Sequence, residues 1–130
     1  MKNEKCIIID KGTTFHCIAI SHLVYVKADG NYSDFKMRDS KNDFTLTIQL
    51  GEVHELMDKT RGVDNFLRVG RSLIVNLNYV RSIDLSKDKF LLSDNLGFRE
   101  ELEASHQALL TLKTKVENRA KRTRRDEYDY

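Results

Sequence analysis

The chain has 130 residues, 40% of them hydrophobic, with 22 basic against 20 acidic side chains and a formal charge of +2. That length fits one domain with a short tail, and that apolar share supports a packed core without disulfide or metal staples. The near-balanced charge neither demands nor excludes a nucleic acid, while the apolar run at residues 6–9 is too short for a signal peptide or for a membrane span of about 20 residues, so a soluble, cytoplasmic protein is expected.

In chain order, residues 7–9 are a short apolar run, followed by the turn pair Lys11-Gly12 and the β-formers of residues 13–20, the pattern of a hairpin. Cys6 and Cys17 lie in these two segments; they match no disulfide framework and no zinc spacing, and read as reduced, half-buried thiols. Residues 22–27 form another strand, with Leu23 and Tyr25 on one face and Val24 and Val26 on the other. Asp29-Gly30-Asn31 is a turn signal. Residues 32–38 then alternate, with Ser33, Phe35 and Met37 on one face and Asp34, Lys36 and Arg38 on the other. After a polar turn, residues 44–48 alternate again.

The period changes at Leu50. Leu50, Val53, Leu56 and Met57 share a helical face, which predicts a short amphipathic helix over residues 50–60, with Gln49 a poor N-cap. Residues 66–69 and 73–75 are apolar around the polar insert Gly70-Arg71-Ser72. Strands are expected at 79–85, 89–92 and 96–98. The stripe Leu102, Leu109, Leu112 and Val116 predicts a longer helix over residues 100–118. Beyond it come Arg119, Lys121, Arg122, Arg124 and Arg125, then Asp126, Glu127 and Asp129, a charged end expected to fray. Tyr25, Phe35, Leu46, Leu56, Phe66 and Ile74 are the expected core.

Catalytic patterns are thin. His54-Glu55 opens like a zinc-protease helix, but the second histidine it needs falls at Asp58. His16, His22 and His106 lie in separate elements, without ligands at metal spacing. No glycine-rich phosphate loop and no nucleophile elbow occur in the sequence. No enzyme activity, cofactor or metal is therefore expected.

The segment from Phe66 to Asn76 carries more information. Arg71 interrupts an apolar stretch between Gly70 and Ser72, and burying an unpaired guanidinium there would be costly. It should emerge at a turn, either as a surface arginine lying on its own alkyl stem or as a group able to reach phosphates or guanine O6 and N7. Asn76 and Asn78 read as residues that cap or tighten a short turn.

Phe66-Leu67-Arg68-Val69-Gly70-Arg71-Ser72-Leu73-Ile74-Val75-Asn76 resembles the signature segment of LytTR DNA-binding domains, F-x-R-x-H-R-S-x-x-V-N. Leu23 through Tyr32 resembles the family's I-x-Y-I-x-A-x-G-N-Y. The resemblance spans about residues 13–116, and the order of elements also fits. It implies a mainly β fold, an elongated stack of small antiparallel sheets with a short central helix and a C-terminal helix. It also implies sequence-specific binding of double-stranded DNA through loops in successive major grooves. Carried over by position, Asn31 and Ser33 lie near DNA after the G-N-Y turn, and Arg71 enters a groove with Arg68 nearby. Gly70 replaces the family's usual histidine, and Gln49 its helix-capping serine. The Ser-Arg pair that usually opens the last helix is missing from Arg99-Glu100-Glu101-Leu102-Glu103. Either Arg99 substitutes for that arginine, or this end does not touch DNA. The basic stretch after Asn118 is a non-specific phosphate clamp or a solvated end.

The resulting expectation is a DNA-binding domain over residues 1–118 and a charged, disordered tail over 119–130. It would be a transcription regulator standing alone, or a fragment whose sensory part lies elsewhere. The competing reading is a protein-interaction module that kept the fold and lost DNA affinity. Further partners left open are a second copy on repeated half-sites or a separate sensory protein; no membrane partner is expected.

Overall fold

The computed structural model describes residues 5–128, with side chains for residues 5–121. Its contacts divide the chain into two compact units, Met1–Asn78 and Tyr79–Tyr130. Among the described residues the fold is mainly β: ten strands in three antiparallel sheets, with two α-helices.

In the first unit, β1 (Cys6–Asp10) and β2 (Phe15–Ala19) form the expected hairpin. Strand alternation sends Ile7, Ile9 and Ile18 into the core. The same alternation pairs Ile8 with Cys17 on the outer face. Cys17 is therefore exposed rather than half-buried, while Cys6 is half-buried as expected.

The larger sheet of this unit holds β3 (Leu23–Asp29), β4 (Tyr32–Met37), β5 (Phe44–Leu46), β6 (Phe66–Val69) and β7 (Leu73–Asn76). Their order is β5-β4-β3-β7-β6, with β3 at the centre. On one face Val26 pairs with both Phe35 and Ile74, and all three are buried in a cluster with the inward isoleucines of the hairpin. The helix α1 (Leu50–Lys59) adds Leu50, Val53 and Met57 to that cluster. The period switch at Leu50 thus marks a real helix. It is entered from Gln49 in extended conformation, without a side-chain cap.

Phe35 and Ile74 are buried in this cluster, and Tyr25, on the opposite face of β3, is buried as well. Leu46, Leu56 and Phe66 are only half-buried and pack against the cluster from its margin. Leu46 and Phe66 belong to the two edge strands, where one flank has no neighbouring strand.

Asn76, fully buried at the end of β7, ties this unit together. Its Oδ1 accepts from Asn65 Nδ2 at 2.9 Å and from the Asn78 backbone N–H at 3.0 Å. Its Nδ2 donates to the Leu23 carbonyl at 2.8 Å and the Ile20 carbonyl at 3.2 Å. It tightens the turn read from the sequence and also clamps the start of β3.

In the second unit, β8 (Val80–Asp84), β9 (Lys89–Ser93) and β10 (Arg99–Glu103) form a meander in the order β10-β9-β8, followed by α2 (His106–Tyr128). Phe90, Leu92, Leu109 and Leu112 are buried here. The β8–β9 turn is braced by Asp84, whose carboxyl the Ser86 hydroxyl and the Lys87 and Ser86 backbone N–H groups hold below the usual carboxylate range. That brace is in place at neutral pH and is lost as pH falls through the lowered value.

Two expectations fail in this unit. Residues 96–98 belong to a turn and residues 99–103 to a strand, although residues 96–98 were expected as a strand and residues 100–103 as helix. Glu100 and Leu102 pair opposite Leu92 and Phe90, so the register with β9 overrides the helical preference of the glutamates. The helix starts instead at His106, where Ser105 Oγ accepts from the Ala108 backbone N–H at 3.2 Å. At the far end the described backbone is helical to Tyr128. No proline or glycine follows Gly97, and lysine and arginine are good helix formers, so nothing local stops the helix at residue 118. Residues 129–130 and the side chains beyond residue 121, which include most of the basic and acidic groups of that end, lie outside the described residues. Among the described residues no helix is long and apolar enough to cross a membrane.

Asn76→Ala should destabilise the chain by about 3 kcal/mol, because several buried backbone and amide groups lose partners together. A shift of the urea unfolding midpoint to lower concentration, at unchanged slope, checks this.

Candidate nucleic-acid interface

The register of β3 with its two neighbours builds one end of the five-stranded sheet. Asp29 pairs with Tyr32, so β3 and β4 are joined by the two-residue turn Gly30-Asn31. Gly30 has φ +61° and Asn31 has no positive φ, as a type II′ hairpin turn requires. Val69 pairs with Leu73, so β6 and β7 are joined by Gly70-Arg71-Ser72. Leu73 in turn pairs with Lys27, close to the end of β3. Both turns therefore leave the sheet at the same end.

Hydrogen bonds fix the second turn. The Ala28 N–H donates to the Ser72 carbonyl at 2.8 Å, joining the turn to β3. Arg68 Nη2 donates to the Arg71 carbonyl at 2.7 Å, across the turn. Gly70 adopts φ +68°, and a Cβ built there would meet nothing within 4 Å. Backbone conformation rather than crowding is why glycine suits this position.

Asn31 and Arg71, singled out from the sequence, are thus brought together at one end with both side chains exposed. Lys27 and Ser72 are exposed beside them. Tyr32, at the first position of β4, is 52% exposed. Sequence reasoning used it only as part of a motif, although a large aromatic directly after a turn was a signal in itself.

The other candidates fall elsewhere. Ser33 is fully buried, and its Oγ donates to the Ile48 carbonyl at 2.7 Å. The expectation that it faces DNA is corrected: it shares a face with Phe35 and Met37 and holds the chain leading into α1. Arg68 is half-buried, and its guanidinium braces the Arg71 turn.

Arg99 belongs to the second unit. It opens β10 opposite Ser93 with its side chain exposed. The preceding turn is tightly hydrogen-bonded: Asp94 Oδ1 accepts from the N–H groups of Leu96, Gly97 and Phe98 at 2.8, 2.9 and 2.9 Å. The last helix opens with Ser105-His106, a serine followed by a histidine. It keeps the serine of the expected Ser-Arg pair but has no arginine beside it. His106 Nδ1 lies 3.1 Å from Asp88 Oδ1, an exposed pair.

Among the described residues no three His, Cys, Asp or Glu side chains come together as metal ligands. His54 instead lies near Asp58, one turn along α1, at 3.9 Å.

Residues 13–117 match the family model of the LytTr DNA-binding domain. No curated protein matches the chain. A solved structure from Bacillus cereus, described as the LytTr DNA-binding domain of a methyl-accepting/DNA response regulator, superposes with a TM-score of 0.58 at 23% sequence identity, covering 86% of this chain and 96% of that one. At that identity the likeness speaks to the fold, and it is the same mainly β arrangement. The family match extends over most of the sequence and takes in both turns of the five-stranded sheet, and on that ground the chain belongs to the LytTR family of DNA-binding domains.

Proposed function

We propose that this chain is a sequence-specific DNA-binding transcription regulator of the cytoplasm, and that the Gly30-Asn31 and Gly70-Arg71-Ser72 turns enter a major groove together. The observation that carries this reading is that the two turns leave the sheet at the same end, the second hydrogen-bonded to β3 through Ala28, with Asn31, Tyr32 and Arg71 all exposed. Arginine matches the O6 and N7 acceptors of guanine, and asparagine matches adenine N6 and N7, so both side chains suit base edges. Tyr32 offers an apolar ring to a thymine methyl. Lys27 supplies charge for the phosphates, which position the protein without reading sequence. The turns are held by backbone hydrogen bonds, so little ordering entropy is lost on docking. A second copy on repeated half-sites, or a separate sensory protein, would complete the regulator.

A second reading is supported by β10, where Glu101 and Glu103 are exposed on one face. Glu103, and Glu101 beside its ion-pair partner Lys89, suit a basic protein partner, although Arg99 shares their face. Salt dependence separates the two readings, because DNA affinity falls steeply as counterion release is suppressed.

Arg71→Ala should weaken binding to a selected duplex by roughly 1–3 kcal/mol and relax preference at one base position, with thermal melting unchanged. Affinities for a selected and a scrambled duplex at one salt concentration decide the matter. An equal loss on both would make Arg71 a phosphate contact, and a large fall in melting temperature would make it structural.

Truncation after Asn118 should lower affinity about equally for all duplexes and flatten the salt slope, since the basic residues of that end contribute through counterion release. Titrations at several salt concentrations measure both effects. An unchanged slope would leave that end a solvated extension.

A further inference from the structure

Leu96 is 81% exposed, more than any other large hydrophobic residue described. It stands at the apex of the Asp94–Phe98 turn in the second unit. Leaving a leucine in water forgoes the gain of burying it, and a polar residue would satisfy the same turn.

The turn holds this side chain in place. The Asp94 carboxylate collects three backbone N–H groups, including that of Leu96 itself. Asn95 adopts φ +62°, and its N–H donates to Ser93 Oγ at 3.0 Å. Arg81 Nε donates to Asn95 Oδ1 at 3.0 Å, and Phe98 meets the edge of Tyr79 at 6.4 Å. The leucine is therefore presented on a rigid mount. Arg81, near the start of β8, and Arg99, at the start of β10, lie at the same end of the three-stranded sheet and are both exposed. Oδ1 of the one carboxylate in the turn is engaged by the turn's own backbone.

We propose that the Asp94–Phe98 turn is a second DNA contact, in which Leu96 enters the minor groove as an apolar wedge between base pairs while Arg81 and Arg99 face the flanking phosphates. This rests on the DNA-binding reading above. The minor groove is about 6 Å wide, a match for one aliphatic side chain between two cations. Wedges of this kind partly unstack a base step and bend the duplex, at a cost that added contacts offset. Rigid mounting is what such a contact needs, because a mobile leucine would fold back on the protein. The turn would read the deformability of the step it opens, favouring flexible pyrimidine–purine steps.

The test uses the full chain on a duplex chosen by unbiased selection, with 2-aminopurine placed at successive positions and fluorophores on the two ends. The wild type should brighten 2-aminopurine at one step, where unstacking relieves quenching, and should shorten the end-to-end distance. Leu96→Ala should abolish the brightening, reduce the bend and weaken binding about tenfold, with melting unchanged. Leu96→Met should retain all three signals. If wild type and Leu96→Ala bind alike with the same bend and no brightening, the wedge is refuted, DNA binding stands, and Leu96 falls to a protein partner. If the wild type binds no duplex, the DNA-binding reading fails and the wedge fails with it.

Discussion

Strand β3 is hydrogen-bonded along both edges, to β4 on one side and to β7 on the other, and the register of those two pairings decides what the first unit presents to solvent. A slip of one residue in the β3–β4 pairing would turn Phe35 out of the core and bring Asp34 or Lys36 in. The buried cluster forbids that. With the register fixed, the two turns must emerge beside each other, and Ala28 and Ser72 can meet. The candidate interface is thus a by-product of core packing: no side chain at the tip has to hold the tips together.

Asn76 enforces the same arrangement from the opposite end of β7. A buried asparagine is tolerable only when both ends of its amide are used, and here both are. Its partners are backbone carbonyls and an amide from three separate stretches of chain, so it discriminates against near-native registers that would satisfy the hydrophobic pattern alone. Hydrophobic burial supplies most of the stability of such a unit, while one polar residue makes the packing unique.

Much of the fold was legible because its signals were local. Gly30-Asn31 and Gly70-Arg71-Ser72 announced their turns, and the change of period at Leu50 announced α1. The site was legible in part. Asn31 and Arg71 stand where small turn residues predicted exposure. Ser33 illustrates two readings in conflict: alternation grouped it with buried Phe35, the family resemblance sent it to DNA, and the structure follows the alternation. Arg68 was not legible as a brace, since its partner is a backbone carbonyl across a turn. The Arg99–Glu103 segment misled because glutamates before a leucine stripe suit a helix start, whereas pairing with β9, a tertiary effect, made a strand. The cap at Ser105 lies two residues beyond Glu103, where the strand ends. Leu96 was absorbed into an expected strand because an apolar residue beside Phe98 resembles core.

The amide of Asn76 reaches carbonyls 53 and 56 positions back along the chain. The β1–β2 and β8–β9 hairpins close over a few residues, but β3 and β7 must find each other across α1 and every strand between them. Closing so long a loop exacts its entropy before any contact rewards it, so this pairing belongs to the slow part of folding. A nascent or partly unfolded chain would hold its hairpins well before its two turns stood side by side. Competence for DNA would then arrive last, as a property of the finished sheet rather than of any segment, and partly folded molecules would not compete for the same duplex.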